Sequence, residues 1–176
     1  MKTQSGASAA KLAAAQERLR RRYRPARVRM LFVGESPPAS GRFFFQADSG
    51  LYRAIRNTFL SAFPDLKDAD FLESFREMDC YLVDLCRRPV DRLTRTRRRL
   101  ACARGETRLS GIIRRLKPEV IVTVVRSIAG NVQRAQAQAG WHGTGVELPY
   151  PGRWKTHQVA FERGLRPILR RTLRNG

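Results

Sequence analysis

The stretch Pro118-Glu119-Val120-Ile121-Val122-Thr123-Val124-Val125 decides the fold. Pro118 stops the helical stripe of Leu109, Ile112, Ile113 and Leu116. The run from Val120 to Val125 is almost continuously β-branched, as in a parallel strand covered on both faces. Working outward, similar short apolar runs predict strands at Val28–Val33, Cys80–Leu85 and Gly145–Leu148. Between them lie helical patterns: an Ala- and Arg-rich helix over 8–23 ended by Pro25, and one from Asp48 or Ser49 with Leu51, Ile55 and Phe59 on one face. A shorter helix is expected at Ala69–Glu77, and a basic loop plus helix within Arg87–Arg104. A further helix, capped by Ser127, should reach Ala139 and end at Gly140, and an amphipathic one should follow Trp154. The alternation predicts an α/β protein, a three-layer α/β/α sandwich around a central, mainly parallel four-stranded sheet. In such sheets ligands bind at the carboxyl ends of the strands. Three loops therefore matter: Gly34 to Phe45, Asp84 to Asp91, and Leu148 to Trp154.

The chain has 176 residues, enough for one core. A basic helical extension is expected at 1–26 and the α/β domain at 27–176. No apolar run approaches the roughly 18 residues of a membrane span, and the amino terminus lacks a secretory signal, so a cytoplasmic protein is expected. Lys and Arg total 35 against 15 Asp and Glu, a net charge of +20. Such an excess repels itself unless a polyanion neutralises it, and arginine forks suit phosphate oxygens, so DNA is the expected partner. A solubilising surface is the plain alternative. Cys80, Cys86 and Cys102 are too few for a disulfide framework and suggest no zinc site; free thiols, no metal and no cofactor are expected. The absence of a GxxxxGKS/T loop argues against phosphoryl transfer.

Four segments, GESPPASGRFFF from Gly34, YLVDLCRRPVD from Tyr81, LKPEVIVTVV from Leu116 and PYPGRW from Pro149, together resemble the uracil-DNA glycosylase superfamily. The resemblance runs from about Val28 to the last helix and is closest to the branch whose first motif begins Gly-Glu. That branch carries a four-cysteine iron–sulfur cluster. Cys86 and Cys102 fall near two of its positions, but the amino-terminal pair is missing.

The resemblance implies hydrolysis of the bond between deoxyribose and a flipped base. Glu35, the carboxylate of the first loop, can stabilise an oxocarbenium-like sugar and orient or deprotonate water, with Ser36 as a second water-positioning candidate. The plain alternatives are that both residues bond their own loop. Phe45, with Phe44 as the neighbouring choice, is expected to stack on the extruded base. Pro37, Pro38, Ser40 and Arg42 would support the DNA backbone.

Asp84 stands where the resemblance leads one to expect a uracil-reading asparagine. An ionised carboxylate only accepts, so it suits the exocyclic amine of cytosine better than uracil O4. The alternative is a structural pair with Arg87 or Arg88. Tyr150-Pro151-Gly152 replaces the family's His-Pro-Ser, leaving a tyrosine hydroxyl to contact the base. Arg153 and Trp154 suit insertion into the duplex, Lys155 a phosphate contact, and Arg126 with Ser127 a phosphate at the next helix start. A monomeric glycosylase acting on a cytosine derivative is the preferred expectation. A uracil or hypoxanthine glycosylase, an inactive DNA-binding module, and a hydrolase of free nucleotides are its rivals.

Overall fold

The apolar runs pair side by side. In the computed structural model, which describes residues 3–66 and 68–173, β1 (Met30–Gly34) lies between β2 (Cys80–Asp84) and β3 (Val120–Thr123). β4 (Thr144–Glu147) forms the far edge, giving the order β2-β1-β3-β4 with every pairing parallel. The sheet is thus wholly rather than mainly parallel. The outermost positions of the expected extension and domain, 1–2 and 174–176, lie outside the described residues.

The order explains the layers. From β1 the chain passes outward to β2, then back across β1 to β3, so right-handed crossovers put the first connection and the later ones on opposite faces. One face carries α2 (Gly50–Ala62), α3 (Phe71–Glu77) and α6 (Lys155–Leu173), and the other α4 (Arg95–Leu116) and α5 (Ala129–Ala139). Accordingly α2 packs on α6, and α4 on α5. Phe32 of β1 meets Phe59 of α2 and Phe75 of α3 at ring separations of 6.4 and 5.4 Å. Burying such rings stabilises the domain by about 1.5–3 kcal/mol each.

Helix ends follow their local chemistry. The Ser49 hydroxyl accepts from Tyr52 N at 3.1 Å and starts α2, and Gly140, at φ 63°, ends α5. Two expectations are corrected. The arginine-rich segment and the stripe from Leu109 to Leu116 form one continuous helix, α4, because no proline separates them and Gly105 alone does not end it. Ser127 caps nothing: it lies inside a 3-10 turn, Arg126–Ile128, which runs directly into α5 at Ala129.

The amino-terminal helix, α1 (Thr3–Arg22), is not detached. The Tyr81 hydroxyl donates to Arg20 O at 3.2 Å, Gln16 Nε2 donates to Gly41 O at 3.4 Å, and Tyr23 stacks on Phe45 at 5.9 Å. These contacts accompany a fully buried β2, whereas β4, the opposite edge, is short and largely exposed. Among the described residues, no helix is long and apolar enough to cross a membrane.

Gly105 lets α4 approach the end of β2, since a methyl group there would overlap the Leu85 carbonyl oxygen. Gly111, in the same helix, faces open space. Gly105→Ala should therefore destabilise the protein by about 1–3 kcal/mol in urea unfolding, while Gly111→Ala should stabilise it by about 0.5–1 kcal/mol. Equal effects would contradict this packing.

Candidate active site

All three loops singled out from the sequence meet at the carboxyl edge of the sheet, where they wall a cavity of about 1100 Å³. It opens at the point where the strand order reverses, between β1 and β3. The first loop contributes Glu35, Ser36, Pro37, Pro38, Ser40 and Arg42. Asp84 and Asp91 come from the second loop, and Tyr150, Gly152 and Arg153 from the third. Lys155 of α6 and Arg53 and Asn57 of α2 complete the rim.

Backbone pairing holds the first two loops together beyond the strands themselves. Leu85 N donates to Gly34 O at 2.8 Å and Cys86 N to Glu35 O at 2.7 Å, so the β1–β2 ladder carries on past Asp84. Val90 N donates to the Ser36 hydroxyl at 3.3 Å, and Ala39 N to the Asp91 carboxylate at 3.2 Å. Ser36 thus ties loop to loop. Its hydroxyl is engaged as an acceptor by the second loop rather than by its own.

Glu35 and Asp84 line the same cavity. Register alone makes them neighbours, because Gly34 pairs with Asp84 and Glu35 follows Gly34. A Cβ on Gly34 would stand 2.7 Å from Asp84 Oδ1, so only glycine leaves space for that carboxylate.

Each acid is met by an arginine from a helix. Arg98, in the first turn of α4, grips Glu35 with both arms of its fork, Nε donating to Oε1 at 2.6 Å and Nη2 to Oε2. The Cys102 thiol adds a weak third donor to Oε1 at 3.8 Å, and the Cys86 thiol in turn donates to Cys102 Sγ at 3.8 Å. Burial pushes the Cys86 thiol up to about 12 and raises Cys102 as well, so both are protonated, unreactive thiols near neutral pH. Two thiols bonded in a chain to a carboxylate do not fit a four-cysteine iron–sulfur cluster.

Asp84 is only 8% exposed, and its partner is Arg20 of α1, whose Nη2 donates to Oδ2 at 3.0 Å. Arg87 and Arg88, offered as partners only in the structural alternative, make no ion pair with it. Burial raises the Asp84 carboxyl above its ordinary value of 3.8, while Arg20 and Arg108 pull the other way. Burial also raises the Tyr150 phenol, which is therefore a neutral donor and acceptor at neutral pH.

Phe45, the expected base-stacking ring, is 1% exposed and lies away from the cavity. It is enclosed by Tyr23, Phe43, Phe44 and Tyr81. The 3-10 turn at Phe44–Gln46 splays the three consecutive rings, and it is Phe43 and Phe44 that reach the cavity wall. Trp154 is 64% exposed beside Arg153, whose guanidinium sits 5.9 Å from its ring, rather than packed in the core. Arg126 and Ser127 are exposed and lie outside the cavity lining.

Arg98, Arg20 and Arg53 are residues at the candidate site that sequence reasoning missed, and Phe43 was passed over for Phe45 and Phe44. Arg98 and Arg20 sit within runs of arginines, where no local signal separates the one that turns inward from those that face water.

The fold and cavity define a doubly wound α/β protein with a cavity at its strand-order reversal. A scan against protein-family models finds no match for the chain, and a search of curated proteins finds none either.

A buried carboxyl with a raised pKa holds its proton more tightly in the folded chain. Its contribution to stability is complete below 3.8 and is lost as pH rises through the raised value. Asp84→Asn removes this dependence, so wild type should lose stability relative to the variant in urea titrations as pH rises from below 3.8 through the raised value. A gain over that range would show that the Arg20 pair outweighs the cost of burial.

Proposed function

We propose that the protein is a monofunctional DNA glycosylase that flips a base into the cavity and hydrolyses its bond to deoxyribose, as the resemblance to the uracil-DNA glycosylase superfamily implies. The observation that carries the reading is the shared cavity of Glu35 and Asp84, rimmed by Arg42, Arg53, Arg153 and Lys155. Two acids inside a basic rim suit a substrate with an anionic backbone and a reaction that develops positive charge. Glu35 would face the sugar, stabilising the oxocarbenium-like state and directing water to it. Asp84, as an acceptor, would read an exocyclic amine, which favours a cytosine derivative. Phe43 or Phe44 would take the base-stacking place first expected of Phe45, and the Tyr150 hydroxyl would bond the base. Exposed Trp154 and its neighbour Arg153 suit the gap left in the duplex.

In this reading Arg98 has to yield. Its fork neutralises the charge that Glu35 would offer the sugar, and 41% of its side chain is exposed, so a DNA phosphate can compete for it. The same ion pair favours a second reading, a DNA-binding module in which the acid is locked and catalysis is lost.

Alkali-induced strand cleavage decides between them on duplexes carrying cytosine, modified cytosines, uracil or hypoxanthine. Wild type should leave abasic sites at one class of base, and Glu35→Gln should slow their formation by about 10²–10⁴-fold. Binding without abasic sites on any duplex would favour the non-catalytic module.

A further inference from the structure

A second hollow, of about 950 Å³, lies between α1 and the carboxyl-terminal half of α4, with Tyr81 and Val83 of β2 as its floor. It shares Asp84 and Pro37 with the first cavity, so the two meet at the end of β2. Three separate segments turn arginines into it: Arg20 and Arg24 from α1 and the turn after it, Arg87 and Arg88 from the second loop, and Arg108 and Arg115 from α4. Its acids, Glu17 and Asp84, are already engaged by Arg20 at 2.9 and 3.0 Å, and Glu17 also by Arg21 at 3.3 Å.

What remains is uncompensated positive charge in a concave place. Among the described residues, Arg24, Arg87, Arg88 and Arg115 form no ion pair. Arg108 is held at the floor by the backbone carbonyls of Asp84 and Leu85. Burial and then the nearby charges of Arg87 and Arg20 lower its pKa. Arg20 Nε is buried without a hydrogen-bond partner. Guanidinium groups crowded in this way are relieved by phosphate, which accepts from several forks at once.

We propose that this groove holds the sugar–phosphate backbone of the DNA strand that flanks the base in the first cavity. Several charges spread along a groove fit a chain of phosphates better than one free anion, and a concave slot between two helices does not match a flat lipid surface. The inference rests on the proposed function only in taking DNA as the partner. Arg20 would couple the two hollows, since it pairs with Asp84 and lies over the Phe43 ring at 5.1 Å.

The test compares two triple variants of equal charge: Arg87, Arg88 and Arg115 all to Ala, and Arg104, Arg114 and Arg171 all to Ala. The second set is exposed and lines neither hollow. Fluorescence anisotropy with an unmodified labelled duplex, between about 50 and 200 mM salt, gives affinity and the slope of log K against log salt. The groove variant should bind at least about tenfold more weakly near 100 mM salt, and its slope should fall by about 2–3, at about 0.9 per phosphate contact. The control should change less than about threefold. Equal losses in both variants, no loss in the groove variant, or no DNA binding by wild type would overturn the proposal. A double variant, Arg87→Ala with Arg88→Ala in the exposed loop, repeats the measurement should the triple variant melt early. Base excision is not the readout, so a groove-dependent affinity in a protein that excises nothing would sustain this inference while sinking the enzymatic one.

Discussion

The parallel pairing of β1 with β2 sets Gly34 opposite Asp84, and the missing Cβ at Gly34 is what allows a buried carboxylate to lie over the end of the first strand. The rest of the site follows from this contact. The ladder runs on through Leu85 and Cys86, so the backbone of Glu35 is fixed by the same strand pair that positions Asp84. Two acids brought together in a protein of net charge +20 then require counter-charges, and the nearest helices supply them. A side chain larger than hydrogen at position 34 would press on that carboxylate and displace it.

The arginines do more than make the surface basic. Arg98 comes from the amino-terminal turn of α4 and Arg20 from the last turns of α1, so each acid ties a helix to the sheet edge. Arg20 and Arg108 also offset part of the burial cost of Asp84, without cancelling it. Away from these pairs, the groove beside α1 collects guanidinium groups that form no ion pair among the described residues. The two arginine pairs at the sheet edge thus help build the site, while the groove gathers positive charge of its own.

Several features were legible in the residues. The run after Pro118, the Ser49 cap and the Gly140 stop all act locally, through β-branching, a side-chain acceptor and a left-handed backbone, and each lies where the pattern put it. The three loops could be placed at one edge because parallel topology leaves them no other place. The direction of side chains was harder to read. Phe45 turned inward because a 3-10 turn rotates successive residues by about a third of a revolution, where an extended chain would alternate them. Ser127 lost its capping role to the 3-10 turn that precedes α5.

By itself the sequence determined the order of strands and helices, the parallel sheet, the basic character and the segments that would meet at the strand ends, since these depend on periodicity, turn chemistry and composition. Only the tertiary structure decided which arginine of each run faces an acid, which phenylalanine lines the cavity, and that α1 packs against the domain and walls a groove. The choice of arginine depends on distances between segments 60 or more residues apart, as for Arg20 with Asp84 and Arg98 with Glu35. Neighbouring arginines are alike in sequence, and only the packed fold distinguishes the one within reach of a carboxylate from those left in water.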